Sequence, residues 1–274
     1  LGANPVASNG SLMTAPDVTV RLKAIRDRGA LIVVDPRRSE TAEIATAHHP
    51  IRPGSDVWFL IALLQALVRL GAPRLDAYAG QLNGFDVAMA RVQAVRIDDL
   101  PQRTGITWAQ VDAIAAQLHG ATNACVYGRM GVSTQRFGTL CAWLINLVNL
   151  VTGNLDAVGG AMFTKPAVDL VAGAGLYAGG KFGRWSSRVR GLPEFGGELP
   201  VATLADEIDT PGDGQIRAMV THAGNPVLST PNGGRLDRAL GDLEFMVSFD
   251  FFINETTRHA HVILPPAFAL ERDH

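Results

Sequence analysis

Cysteine is scarce in this chain. Its 274 residues hold two, Cys125 and Cys141, and neither lies in a Cys-x-x-Cys or Cys/His spacing. A disulfide framework and a cysteine-ligated metal cluster are therefore not expected here, and buried free thiols are. Charge of one sign is lacking too: the net charge is −2, so no strong field invites nucleic acid or an anionic membrane surface. No apolar run reaches the roughly 18 residues that suggest a membrane-spanning helix. The nearest, Leu140 to Val151, is broken by Asn146 and Asn149, and direct membrane insertion is not expected. No Gly-x-Gly-x-x-Gly follows a strand, and no P-loop occurs, which removes the main support for simple nicotinamide-dinucleotide or P-loop readings. His48-His49 and His259-x-His261 lack a third ligand at metal spacing. The chain opens inside a loop and stops just past an apolar segment, and reads as an excised piece of a longer protein. A cytoplasmic setting is expected ahead of a periplasmic one, with any targeting signal outside this stretch.

What is present points to a globular α/β protein. Hydrophobic residues make up 47% and charged residues 18%, a globular balance rather than a disordered one. Val18 to Arg28 has helical apolar spacing and is stopped by Gly29. Ala30 to Val34 is a continuous apolar run of strand length, as expected of a parallel strand covered on both faces. Asp56 stands where an N-cap would open a helix from Val57 to Leu70. Ala124 to Tyr127 reads as a further strand, and Thr134 to Val151 as one long helix. Residues 159–197 are glycine-rich without a period and read as an irregular connection. Strands at Ala218 to Thr221, Phe245 to Phe249 and Val262 to Leu264 follow, with a helix near Leu236 to Ala239. The alternation is the α/β pattern with mostly parallel sheets; with the repeat and the family resemblance described below, the expected fold is two Rossmann-like, three-layer αβα units over residues 1–163 and 164–274.

One pattern occurs twice. Asn4-Pro5-Val6-x-Ser8 reappears as Asn225-Pro226-Val227-x-Ser229. After each comes a helix, then an apolar strand closed by aspartate, Asp35 or Asp250. Glu-Thr follows each aspartate, as Glu40-Thr41 and Glu255-Thr256, and a His and a Pro come later, His49 with Pro53 and His261 with Pro265. The ordered series indicates two related half-units. In open α/β sheets, ligands bind beyond the carboxyl ends of the strands. The Asn-Pro loop can offer backbone N–H groups to phosphate. A strand-end aspartate can accept from a ribose hydroxyl or a base. Asp56, after Pro53-Gly54-Ser55, adds a carboxylate able to take both N1–H and N2–H of guanine. Taken singly, each feature also serves as an ordinary turn or cap.

The runs LGANPVASNG, GALIVVDPRRSETA, HHPIRPGSD, YGRMGVSTQ, LVTGNLDAVGGAMF, AGNPVLSTPN and VSFDFFINETTRHAHVILPPAFALERDH together resemble the catalytic subunit of molybdopterin oxidoreductases, the relatives of dimethyl sulfoxide reductase, nitrate reductase and formate dehydrogenase. The resemblance covers nearly all of the chain except about 165–212. It implies molybdenum held by two molybdopterin guanine dinucleotides between two domains related by a pseudo-twofold duplication. By matching motif, Gly2, Asn4 and Ser8 would line the first dinucleotide loop, and Asp35, Arg37, Gly54, Ser55 and Asp56 would surround its nucleotide. Met130, Gly131 and Gln135 would approach the pterin, with Thr134 an alternative to Gln135. Gly224, Asn225, Asp250 and Arg272 would serve the second dinucleotide. The resemblance places the iron–sulfur cysteines and the metal's protein ligand upstream of this stretch, so no catalytic or metal-ligating residue is assigned within it, and by itself it is expected to be inactive. Expected partners are a small-molecule substrate and an electron-transfer subunit. The Arg-Gly-Gln-Asn-Asn run of formate dehydrogenases is replaced here by Gly159-Gly160-Ala161-Met162-Phe163-Thr164-Lys165-Pro166, and Lys165 cannot reproduce a planar bidentate contact to carboxylate. From the residues alone, a non-catalytic nucleotide-binding module and the central domain of another cofactor enzyme, such as a thiamine-diphosphate enzyme, are the alternative readings.

Overall fold

The computed structural model describes residues 1–8, 15–163, 165, 167–168 and 182–271. The chain divides into two compact units, Leu1–Thr164 and Lys165–His274. Both are mixed α/β with small parallel sheets, which is the class that the alternation of elements predicts.

In the first unit, helix α1 (Val18–Arg28) buries Val18 and Leu22 and ends where the Gly29 N–H reaches the Ile25 carbonyl. Strand β1 (Ile32–Val34) pairs in parallel with β2 (Ala47–His49), joined through the short helix α2 (Glu40–Glu43). Ser39 caps α2 by accepting from Ala42 N. Helix α3 (Asp56–Arg69) is apolar almost all round, as an enclosed helix must be. Phe59, Leu60, Leu63, Leu64 and Leu67 are completely covered. Around α3 come α4 (Phe85–Ala94), α5 (Leu100–Thr104), α6 (Trp108–Gly120), α7 (Met130–Ser133) and α8 (Gly138–Val151). A reciprocal capping box between Thr107 and Gln110 starts α6. Packed against α3, α6 supplies Val111, Ile114 and Ala115 to the core, and α8 supplies Leu144, Leu147, Val148 and Val151. Burying a leucine or phenylalanine is worth about 1.5–3 kcal/mol, so α3 is the main anchor of this unit.

Three expectations are corrected here. Asp56 is not the N-cap of α3 but its first residue; Ser55 occupies the cap, and its hydroxyl donates backwards to the Arg52 carbonyl. The long helix expected over Thr134–Val151 starts only at Gly138: Thr134–Phe137 are non-helical and lie between α7, which precedes the expected range, and α8. The backbone at Gly138 folds back so tightly that a Cβ there would meet Ser133 O at 1.9 Å. Ala124–Tyr127 is extended but forms no strand. The side-chain amide of Asn149, buried on α8, accepts from Val126 N and donates to Val126 O, both at 2.8 Å, replacing a neighbouring strand on one side. On the other side, Leu1 N donates to Tyr127 O and Arg129 N donates to Leu1 O, the slanted pattern of a parallel pair.

In the second unit, residues 182–198 carry antiparallel bridges, Ser186 with Pro193 and Phe195 with Glu198. The Glu194 carboxylate inside this turn accepts from Arg184 Nη2 and from the Arg184 and Gly197 backbone N–H groups, and the guanidinium holds its carboxyl below the usual range. Strands β3 (Ala218–His222), β4 (Phe245–Phe249) and β5 (Val262–Ile263) form a parallel sheet in that order. Helices α9 (Leu204–Asp209), α10 (Pro226–Ser229) and α11 (Gly233–Gly241) accompany it, around a core of Ile208, Leu236, Leu240, Leu243 and Met246. Asp237 on α11 accepts from Arg258 and pairs with His259, which ties the turn after β4 to the helix. No helix of the described residues is long and apolar enough to cross a membrane.

If α3 anchors the first unit, Leu60→Ala in the full-length protein will cost about 2–5 kcal/mol of stability. Val20→Ala on α1, where the side chain is 66% exposed, will stay within about 0.5 kcal/mol. Urea unfolding monitored by a probe in this unit compares the two, and equal effects would refute that assignment.

Candidate functional site

The two Asn-Pro loops share one hydrogen-bond scheme with one difference: Thr41 N donates to Asn4 Oδ1 at 3.2 Å, whereas Thr256 N donates to Asn254 Oδ1 at 3.0 Å. In the first, Gly2 N donates to Val34 O, the last residue of β1, at 3.2 Å. The Asn4 carbonyl accepts from Ser8 through its N–H and its hydroxyl, each at 3.0 Å. The Asn4 side chain turns back onto the chain: Nδ2 donates to Glu40 Oε2 at 2.6 Å, and Oδ1 accepts from Thr41 Oγ1 at 2.7 Å. Thr41 Oγ1 in turn accepts from Val6 N at 3.2 Å. In the second loop, Ala223 N donates to Phe249 O at 3.0 Å, and the Asn225 carbonyl accepts from the Ser229 N–H and hydroxyl, each at 3.0 Å. Asn225 Nδ2 donates to Glu255 Oε2 at 2.8 Å, Asn225 Oδ1 accepts from Thr256 Oγ1 at 2.7 Å, and Thr256 Oγ1 accepts from Val227 N at 3.1 Å. Both glutamates are held below the usual carboxylate range. For Glu255 the chief cause is the Asn225 amide, and for Glu40 its own backbone N–H, followed by Asn4.

These bonds leave the same groups over in both copies. The backbone N–H groups of Ala3 and Asn4, and of Gly224 and Asn225, find no acceptor among the described residues. In each loop the pair follows a residue in the left-handed region, Gly2 at φ 52 and Ala223 at φ 50. Successive unpaired N–H groups beside such a turn make an anion-binding concavity. The conformational counterpart of Gly2 is thus Ala223, with Gly224 one position further on.

The aspartates close the strands as expected, and each accepts the N–H two residues ahead: Asp35 Oδ1 from Arg37 at 2.9 Å, Asp250 Oδ1 from Phe252 at 3.0 Å. Asp250 Oδ2 also receives Asn254 Nδ2 at 3.4 Å, whereas the second oxygen of Asp35 has no donor among the described residues. Arg37 is exposed and pairs with Glu40 at 3.1 Å. The register corrects one detail of the repeat. Val34 pairs with His49 across β1–β2, and Ser248 pairs with Ile263 across β4–β5. The match is therefore His49-Pro50 with Leu264-Pro265, not His49 with His261.

The first loop has an additional wall. Gly131 N donates to Gly2 O at 3.1 Å, and the two glycines touch: a Cβ on Gly2 would meet Val132 N at 2.6 Å, and one on Gly131 would meet Gly2 Cα at 2.8 Å. From the same segment, Gln135 Nε2 donates to Asp56 Oδ2 at 2.9 Å and to Gly131 O at 3.1 Å. Gln135 Oε1 is buried without a donor, and the space for a Cβ on Gly54 lies 4.0 Å from it. Asp56 itself is only 5% exposed. Gly2, Gly54, Asp56, Gly131 and Gln135 are thus contiguous. Thr134, the alternative to Gln135, spends its hydroxyl on the Met130 carbonyl at 2.6 Å. Met130 is exposed, and Ser55 is turned to Arg52. Arg272 lies outside the described residues. The roles of Glu40, Thr41, Glu255 and Thr256 were missed in the sequence, where they served only as markers of the repeat.

A family model described as molybdopterin oxidoreductase matches residues 1–274. The chain belongs to the molybdopterin oxidoreductase family. It is 25% identical to the assimilatory nitrate reductase catalytic subunit of Bacillus subtilis, over 93% of this chain and 38% of that protein. It is also 25% identical to the F420-dependent formate dehydrogenase 2 subunit alpha of Methanococcus maripaludis, over 92% of this chain and 39% of that one. Among solved structures, acetylene hydratase from Pelobacter acetylenicus superposes with a TM-score of 0.71 at 21% identity, covering 93% of this chain and 39% of its own, a likeness of fold. The chain spans less than two fifths of the length of the curated relatives it matches. Family membership decides against the thiamine-diphosphate alternative.

The two left-handed positions predict opposite responses. Gly2→Ala must displace backbone and will destabilise by at least about 2 kcal/mol. Ala223→Gly relieves the left-handed strain at an entropic cost, and will be neutral to about 1 kcal/mol stabilising. Thermal unfolding of the full-length variants reads both; equal losses would show that the loops are not differently packed.

Proposed function

We propose that this chain is the central, cofactor-holding part of a molybdenum oxidoreductase, in which each Asn-Pro loop holds one molybdopterin guanine dinucleotide. The observation that carries this reading is the duplication of a loop that leaves the same two N–H groups free in each copy. A dinucleotide has anionic phosphate oxygens to occupy such donors. The donor edge of guanine complements acceptors, and the first unit offers two together: the Asp56 carboxylate and the buried Gln135 Oε1. The groups present thus fit the cofactor in kind. Asp35, with one oxygen spent on its turn, has the other for a ribose hydroxyl. Gly2 and Gly131 let two backbones meet where side chains would fill the space. Arg37 adds positive charge beside the first nucleotide.

When bound, the cofactor supplies two-electron redox or oxygen-atom transfer at molybdenum. The residues of this chain bind and orient it and tune its surroundings. None is assigned as metal ligand, acid or base, and the metal's protein ligand and any iron–sulfur cluster are assigned to the segment upstream. The two relatives compared above are named as subunits, one of them catalytic, which supports an electron-transfer subunit as partner. The substrate is a small molecule selected outside this stretch. A non-catalytic nucleotide module is the alternative, and molybdenum content separates the two.

The full-length protein, purified and hydrolysed in acid, will release two guanine nucleotides per molybdenum; a protein with neither would sink the reading. Asp56→Ala will weaken guanine-nucleotide binding by roughly 1–3 kcal/mol in calorimetry, the cost of a hydrogen bond to a charged group. Unchanged affinity would return Asp56 to a purely structural partnership with Gln135. Residues 1–274 alone will turn over neither an oxoanion nor formate, and turnover without another segment or subunit would contradict the division of roles.

A further inference from the structure

Each asparagine side chain is engaged at both ends by the protein. An amide offers N–H donors at one end and a carbonyl acceptor at the other; here an N–H is given to a carboxylate and the oxygen accepts from a hydroxyl, in both loops. The hydroxyls of Thr41 and Thr256 each donate to the asparagine Oδ1 while accepting a loop N–H, from Val6 or Val227. Thr41 is 3% exposed and Thr256 completely covered, so water has little access to replace either bond. A valine has the shape but neither role, whereas a serine keeps both. On the other face, Glu40 and Glu255 accept the asparagine Nδ2. An aspartate in place of the asparagine would set two carboxylates together, which accounts for the amide at both positions.

We propose that Glu40–Thr41 and Glu255–Thr256 are the positioning residues of the two loops. They consume the N–H of the loop valine and both ends of the asparagine amide, so that the N–H groups of Ala3 and Asn4, or of Gly224 and Asn225, are the ones left for an anionic ligand. These residues need not touch that ligand. The proposal rests on the cofactor reading for the ligand's identity, but not for the geometry. It also assigns a purpose to the left-handed conformation of Ala223, which is kept there without the glycine that would make it easy.

The test uses full-length protein with Thr41→Val, Thr256→Val and the corresponding serine variants, followed by segment-resolved hydrogen exchange and by retention of guanine nucleotide. Thr256→Val will speed exchange at Val227 and Ser229 about tenfold, the scale of one lost hydrogen bond, and will speed nucleotide loss by a similar factor. The Leu1–Ser8 loop will exchange as in the wild type. Thr41→Val will do the reverse, and each serine variant will restore both readouts. Unchanged loop exchange overturns the proposal. So does faster exchange with wild-type nucleotide retention, which would reduce the threonines to staples. A wild-type protein without guanine nucleotide removes the cofactor reading, and inorganic pyrophosphate then decides the positioning role. Pyrophosphate must slow exchange in each loop of the wild type and fail to do so in the loop whose threonine is valine; no slowing in the wild type, or slowing that persists in the variant, overturns it.

Discussion

An asparagine held between a carboxylate and a buried threonine hydroxyl sets the path of the chain at both candidate loops. The bonds cross long gaps in sequence, from Asn4 to Glu40 and Thr41 and from Asn225 to Glu255 and Thr256. Neither loop could hold its shape from local propensity alone, since Asn-Pro is compatible with many turns. The strand between supplies the lever. Because β1 or β4 ends in an aspartate whose carboxylate caps the following turn, the next helical turn begins at a fixed distance, and Glu and Thr arrive under the loop. Strand end, turn, Glu-Thr and Asn-Pro form one interdependent unit, and duplicating the unit duplicates the geometry.

The copies differ where neighbouring backbone intervenes. Gly2 lies against Gly131 with no room for a Cβ, whereas Ala223 takes nearly the same φ while exposed. A left-handed alanine costs on the order of 1–2 kcal/mol, a cost of the size tolerated at functional positions. In the first unit glycine is demanded by contact as well as by conformation. In the second, conformation alone is at stake, and a methyl group fits.

Much of this was legible in the sequence because it is periodic or ordered. The apolar run at Ile32–Val34, the apolar length of α3 and the spacing of the repeat all follow from patterns along the chain. What escaped depended on side chains that substitute for backbone. Asn149 looks like a blemish in an apolar helix, yet its amide takes the place of a strand beside Val126. Asp56 has the preferred composition of an N-cap, but Gln135 claims its carboxylate from another segment, and no local rule reports that. The misaligned histidine of the repeat has the same origin: register is set by strand pairing, and His261 happened to sit near a proline. Site residues chosen by motif were brought together at Gly2, Gly54, Asp56, Gly131 and Gln135. The glutamates and threonines that shape the loops were in view but carried no motif of their own.

The cluster around Asp56 draws its rigidity from the helix beneath it. Asp56 is the first residue of α3, whose next three turns are buried in the largest core of the described residues, so its backbone is anchored, and the Gln135 amide holds its carboxylate. A carboxylate at the N-terminal end of a helix is also favoured by the helix dipole, which offsets part of the cost of burying it. Gln135 sits in the break between α7 and α8, and the folded-back backbone at Gly138 keeps that break open. Had Thr134–Val151 formed one continuous helix, Gln135 would lie in a regular turn and its amide would not be free to reach both Asp56 and the Gly131 carbonyl. The interrupted helix and the buried carboxylate therefore account for one another: the break gives Asp56 its donor, and that donor leaves Gln135 Oε1 as a buried acceptor beside Gly54.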